Sequence, residues 1–271
     1  MSEKKSDKEL AFLRDLYVST DWGERFAELL DDNLKLPQKG RILYVEAGTG
    51  GHAMAVLERA EDDVRMVCVD ESEECLELAR AKAVAMNVEP EFRRERLDAL
   101  SLRDNQFEMT IGDGSLVAPE RLSKMLSELV RVTAPGGTVA FTLTTAGSFG
   151  EFFSIYWEAL QSAGLEDHGV DVEELITELP TVAQAEELAA AAGLEVDAST
   201  TRVEEFDYDS GEEFLNSPLV TDFLLRAWMQ SLPEAAQTRV LTEIARIIDE
   251  DRKEMDFALS VKATLVTGRK K

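Results

Sequence analysis

A doubly wound, mostly parallel α/β sheet is the fold that this 271-residue sequence predicts, with a reversed last strand and helical cap insertions in its second half. Three observations predict it. Short apolar runs alternate with amphipathic stretches of helical length from residue 40 to residue 144, the pattern of buried strands joined by crossover helices. The first run ends in a glycine turn, Glu46-Ala47-Gly48-Thr49-Gly50-Gly51. Acidic residues then stand at the ends of later runs, at Asp70, Asp98 and Asp113, on the edge of such a sheet where ligands bind.

Taken in order, residues 8–36 carry Leu10, Leu13, Tyr17, Trp22, Phe26, Leu29 and Leu30 at helical intervals. They predict a leader of two helices interrupted near Ser19-Thr20-Asp21 and ended by Pro37 and Gly40. Tyr17 or Trp22 is placed to touch a ligand, although aromatics at this spacing also serve as plain packing. Ile42–Val45 is the first strand, and the glycines after it lead into a helix near His52. Without a Cβ, glycine lets the backbone N–H groups of a helix start approach a ligand closely. Val64–Val69 is the second strand, ending in Asp70 about 20 residues past the glycines, where dinucleotide-type folds hold ribose hydroxyls. Asp70 or Ser72 could instead cap the helix 72–86.

Glu91–Leu97 reads as a charged edge strand, Phe107–Ile111 as the fourth strand and Thr138–Thr144 as the fifth, with a helix over Pro119–Thr133 between the last two. Residues 146–180 and 209–254 are helical lid or cap insertions, the first rich in aromatics at Phe149, Phe152, Phe153, Tyr156 and Trp157. Leu194–Val196 with Thr200–Tyr208 supplies the sixth strand, and Phe257–Val266 a last strand that has no helix after it and suits an antiparallel pairing. The whole chain, 1–271, is expected to form one domain.

The net charge of −25 repels phosphate backbones and anionic lipid. It therefore argues against nucleic-acid or membrane binding through a basic surface and leaves small molecules or basic proteins, with a small-molecule substrate the expected partner. Nothing in the sequence approaches a membrane-spanning apolar run or a secretory signal. Cys68 and Cys75 fit a reducing compartment, so a cytoplasmic location is expected. No histidine, cysteine and carboxylate cluster has metal-ligand spacing, and no metal is expected. A homodimer is compatible with the sequence.

Residues 40–144 resemble the class I S-adenosylmethionine-dependent methyltransferases, close to the group that methylates small molecules and isoprenoid-quinone or lipid precursors. The glycine turn, Asp70 with Ser72, Asp98-Ala99-Leu100-Ser101-Leu102, Asp113 and the turn Ala134-Pro135-Gly136-Gly137 carry the likeness. The resemblance implies a Rossmann-like fold with S-adenosylmethionine as cofactor. By it, Asp70 holds the ribose, Asp98 with Ala99 the adenine, and Gly48 and Gly50 the methionine portion, with Asp113 near the methionine amine and the transferable methyl. The first motif departs from the pattern. Aligned without gaps, Tyr44 stands at the family's acid and Glu46 at its first glycine. Shifted by two residues, Glu46 becomes the acid, Gly48 and Gly50 the first glycines, and His52 the third.

Methyl transfer from a sulfonium needs alignment and exclusion of water more than a dedicated catalyst. If the acceptor is a hydroxyl or amine, a base is required, and Asp113 and His52 lead the candidates, followed by Tyr17, Tyr156 and His168. The predicted activity is methylation of a small, partly apolar acceptor, with Glu46, Gly48, Gly50, Asp70, Asp98, Ala99, Asp113 and Tyr17 holding the cofactor. The competing reading is a methyltransferase-like binding module with a degenerate cofactor loop. A nicotinamide dehydrogenase is weaker, because Gly48, Gly50 and Ala53 make an incomplete fingerprint.

Overall fold

The computed structural model describes residues 5–251 and 257–271. The leader expected over 1–36 and the insertion expected over 209–254 therefore extend, at residues 1–4 and 252–254, outside the described residues. A seven-stranded sheet has the order β3-β2-β1-β4-β5-β7-β6, from β1 (Gly40–Val45), β2 (Val64–Asp70), β3 (Glu91–Arg94), β4 (Phe107–Gly114), β5 (Thr133–Thr144), β6 (Leu194–Tyr208) and β7 (Phe257–Lys270). β1 to β5 pair in parallel, and the last strands run antiparallel. The chain leaves β1 toward β2 and β3, then returns to place β4 and β5 on the other side of β1. The carboxyl ends of β1 and β4 thus form the topological switch point, where the first connections of the two halves diverge and leave a crevice.

Side chains alternate across the sheet. Leu43 and Val45 of β1 join a core with Leu122, Met125 and Leu129 of α5 (Pro119–Val132) and Ala185 and Ala189 of α8 (Val182–Ala191). Ile42 and Tyr44 point to the other face. Trp22, Phe26 and Leu30, all buried, line one cavity together with Tyr44.

The leader differs from its expected form. α1 (Asp7–Leu13) passes through a π-wound stretch, Arg14–Gly23, into α2 (Glu24–Asn33) without a break. The polar run Ser19-Thr20-Asp21 does not stop the helix, because the Thr20 hydroxyl donates to the Leu16 carbonyl at 2.8 Å and so stays within the helical ladder. β4 runs to Gly114 and takes in Asp113, which the sequence reading set in the turn beyond it. β6 is continuous where two pieces were expected.

The chain divides into two compact units: residues 1–143, 181–202 and 263–271, and residues 144–180 and 203–262. The second unit holds α6 (Gly150–Ser162), α7 (Gly169–Glu178), α9 (Gly211–Asn216), α10 (Leu225–Trp228) and α11 (Glu234–Asp251). Its centre is aromatic: Phe152 stacks on Trp228 with ring centroids 4.4 Å apart and on Tyr156 at 5.7 Å, and Phe214 meets Tyr208 and Phe257 edge to face. Both sequence-predicted insertions contribute to this unit.

The glycine turn explains how the first unit is pinned. Gly50 has φ +81 and precedes α3 (Gly51–Arg59); a Cβ on it would stand 2.7 Å from the Ala79 Cβ of α4 (Glu73–Met86). Gly50 is thus a packing glycine. Gly50→Ala is expected to destabilise the chain by about 2–4 kcal/mol in urea unfolding, the sum of left-handed strain and overpacking. A change under about 0.5 kcal/mol would show that α3 and α4 separate freely.

Candidate functional site at the switch point

A cavity of about 380 Å³ opens at the carboxyl ends of β1, β4 and β5. Its floor is the turn Glu46–Gly51, with Asp113 and Thr142 at one side. Its roof comes from the leader, whose residues Arg14, Val18, Trp22, Phe26 and Leu30 follow one another at four-residue steps and all line the cavity. Trp22 is fixed there by its indole N–H, which donates to Ser115 Oγ at 3.0 Å. Tyr17 is 53% exposed and is absent from the lining. Of the two aromatics that the sequence offers as ligand contacts, Tyr17 or Trp22, the phase of the helix brings Trp22 to the cavity, four residues from Val18, and leaves Tyr17, also expected among the cofactor residues, on the outer face.

Each residue of the turn has its own cause. Glu46 has φ +59, in the left-handed region that a glycine would occupy without strain, so its backbone follows the ungapped register. Gly48 has φ +55, and a Cβ on it would point toward the Arg14 guanidinium at 3.3 Å. Its missing side chain faces the cavity, unlike that of Gly50. The Gly48 N–H donates to Asp70 Oδ2 at 2.7 Å, and Asp70 Oδ1 accepts from the Ser72 N–H at 2.8 Å. Asp70, only 1% exposed, therefore sits directly behind Gly48 and is not itself a lining residue. The cap of α4 is Ser72, whose Oγ accepts from the Cys75 N–H at 3.1 Å. That leaves each Asp70 oxygen with a further lone pair.

Asp98 and Ala99 lie away from this lining, in the connection after β3. Asp98 accepts from Arg96 at 3.1 and 3.2 Å and from Arg121 at 3.4 Å, and the Arg96 bond in particular holds its carboxyl down at about 2. Arg121 is gripped in turn by Glu71 at 2.6 and 3.0 Å. Asp113 Oδ1 accepts from the Ser115 N–H at 3.0 Å and from Thr142 Oγ1 at 3.1 Å, and both groups hold it at the cavity wall.

Two constellations stand out that residue order alone does not reveal. In the first, Arg14 and Glu46 form an ion pair of 2.7 Å in the cavity. Burial pushes the Glu46 carboxyl up, with Arg14 opposing and Asp70 adding to the rise. Burial alone would lower Arg14, but Glu46 and Asp70 outweigh it and keep the guanidinium charged. In the second, the Tyr44 hydroxyl lies 2.8 Å from His52 Nδ1, and His52 Nε2 lies 2.9 Å from Asp31 Oδ1. Asp31 is also held by Arg59 at 2.6 and 2.8 Å. A carboxylate only accepts, so Nε2 carries the proton, Nδ1 is the acceptor, and the Tyr44 hydroxyl donates to it. Burial, reinforced by Asp113, raises Tyr44 well above the usual phenol range and keeps it neutral.

Of the residues expected from the sequence, Glu46, Gly48, Gly50, His52 and Asp113 come together at one cavity, with Asp70 one hydrogen bond behind it. Arg14 and Asp31 were missed. Arg14 shares the four-residue phase of Val18 and Trp22, a signal that was legible; Asp31 meets His52 only through the fold. Tyr156 is fully buried among aromatics of the second unit, with a hydroxyl that has no hydrogen-bond partner, and burial raises its pKa. His168 is occupied by Asp171 at 2.9 Å. Among the described residues no group of histidine, cysteine and carboxylate side chains is arranged to hold a metal, and no helix is long and apolar enough to cross a membrane.

Residues 42–137 match the family described as a methyltransferase domain. The demethylmenaquinone methyltransferase of Thermus thermophilus is 33% identical over 141 residues, 51% of this chain and 61% of that relative. The match thus spans less than two thirds of the relative's length. Among solved structures, the YcgJ protein of Bacillus subtilis aligns over 92% of this chain and 99% of its own, with a TM-score of 0.60 at 16% identity. The geranyl diphosphate C-methyltransferase of Streptomyces coelicolor aligns over 92% and 79%, with a TM-score of 0.53 at 12% identity. These two likenesses establish the fold.

Proposed function

From a chain whose residues 42–137 match the methyltransferase-domain family, we propose that the protein moves a methyl group from S-adenosylmethionine to a small, partly apolar acceptor. The observation that carries this reading is the cavity itself, which lies at the switch point, has the turn Glu46–Gly51 as its floor, and is walled by Val18, Trp22, Phe26, Leu30 and Leu116. The structurally similar geranyl diphosphate enzyme was crystallised with S-adenosyl-L-homocysteine, which supports the same cofactor class here.

The residues present suit that cofactor chemically. Asp70, through its remaining lone pairs, would take the ribose hydroxyls. Asp98, kept ionised by Arg96, would accept from the adenine amino group beside Ala99. The turn Glu46, Gly48 and Gly50 would hold the methionine portion, with Asp113 near the transferable methyl. When bound, S-adenosylmethionine supplies an electrophilic methyl on a sulfonium. The apolar roof excludes water and aligns the acceptor, which is the main demand of the displacement. For an acceptor bearing O–H or N–H, Tyr44 takes the proton as it passes its own to His52 Nδ1, and Asp31 steadies the imidazolium at Nε2. His52 is then the base and Tyr44 its contact with the cavity.

Isothermal titration of the full chain with S-adenosylhomocysteine is expected to show binding with a Kd of about 1–100 μM, or about 5–8 kcal/mol. No heat at millimolar product would remove the enzyme reading and leave a binding module.

A further inference from the structure

We infer that Arg14 and Glu46 are the two halves of a clamp for the amino-acid end of the cofactor, Glu46 receiving its α-ammonium and Arg14 its α-carboxylate, and that their mutual ion pair must open for the cofactor to enter. This deepens the methyl-donor reading and rests on it.

The geometry supplies the reasons. The Arg14 guanidinium stands where a side chain on Gly48 would begin, 3.3 Å from that position, so it covers the stretch of backbone that lacks a Cβ. Ligand and Arg14 cannot share that space. The Arg14–Glu46 contact is 2.7 Å, with both side chains largely removed from solvent. A zwitterion offers the opposite charge to each member. Opening one pair and forming two leaves no buried charge unmatched, whereas a ligand without charges would strand both. The other basic side chain that lines the cavity among the described residues, apart from His52, is Lys82, and it is already engaged by Asp15 and by Thr49 Oγ1. Arg14 is therefore the group placed to take a carboxylate.

Glu46 itself argues for a use. A non-glycine residue at φ +59 carries backbone strain of about 1–2 kcal/mol, which a glycine at the same point would not. Here the strain positions a carboxylate on the cavity floor, opposite a cation delivered from the leader helix. The same exchange gives the clamp discrimination: adenosine derivatives that lack the amino-acid end must break the Arg14–Glu46 pair, or bind beside it, with nothing in return.

The test compares two probes on one protein by isothermal titration. S-adenosylhomocysteine carries the amino-acid end, and 5′-methylthioadenosine lacks it. The wild-type chain is expected to prefer the former by at least about tenfold. In Arg14→Met, in Glu46→Gln and in the double variant, that preference is expected to fall toward unity through loss of S-adenosylhomocysteine affinity, with methylthioadenosine unchanged or tighter. The double variant replaces a buried pair by neutral groups of similar size and so guards against misfolding, which a thermal melt checks. A preference that survives in the folded double variant overturns the clamp while leaving the cofactor reading intact. Failure of both probes to bind the wild type overturns the cofactor reading, and the clamp with it.

Discussion

Replacing Asp70 with alanine is expected to remove about 2–4 kcal/mol of folding stability and to weaken S-adenosylhomocysteine binding by at least about 10²-fold. Both effects come from one carboxylate. Asp70 Oδ2 accepts from the buried Gly48 N–H and Oδ1 from the Ser72 N–H, so alanine orphans one donor in the glycine turn and another at the start of α4. A buried donor without a partner costs roughly 1–3 kcal/mol. The turn then loses the tie that sets its distance from β2, and the cavity floor loses its shape. Asp70→Asn separates the two consequences. Its amide oxygen retains one acceptor, so urea unfolding should show about half the loss, while calorimetry should still record a large drop in affinity, because an amide offers fewer acceptor sites to a pair of hydroxyls. Unchanged affinity in a folded Asp70→Asn chain would sink the ribose role.

Tyr44→Phe should lower turnover by about 10²–10⁴ with little change in product affinity, the usual yield of a positioned acid–base group. The phenol is the member of the Tyr44–His52–Asp31 chain that lies on β1 beneath the cavity, and phenylalanine removes only the oxygen. The assay is transfer of labelled methyl to a panel of small quinols, phenols and amines. His52→Gln should cost a similar factor. The double variant should be no slower than the worse single one, since groups that act as a unit are not additive. Tyr44→Phe with full turnover would exclude the relay. Equal, additive losses would indicate two independent packing effects instead.

The alternation of apolar runs and helices over residues 40–144 was enough to determine the doubly wound sheet, because strands buried on both faces and their crossovers impose periods that the order of residues displays. It also determined that Gly48, Asp70 and Asp113 would fall at strand ends, since connection order fixes which end of a parallel sheet each tip occupies. Extended pairing of the last strand was legible for a similar reason: apolar and polar residues alternate over Phe257–Val266. What the linear order could not decide was which side chains share a space. His52 and Asp31 are 21 positions apart, and Arg14 and Glu46 are 32. Their meetings depend on the phase of a helix that winds through a π stretch where its polar residues suggested a stop. Tertiary packing sets that phase, turning Trp22 and Arg14 inward and Tyr17 outward, and it gives Glu46, a residue that looked like a defect in a glycine turn, a charged partner on the opposite wall.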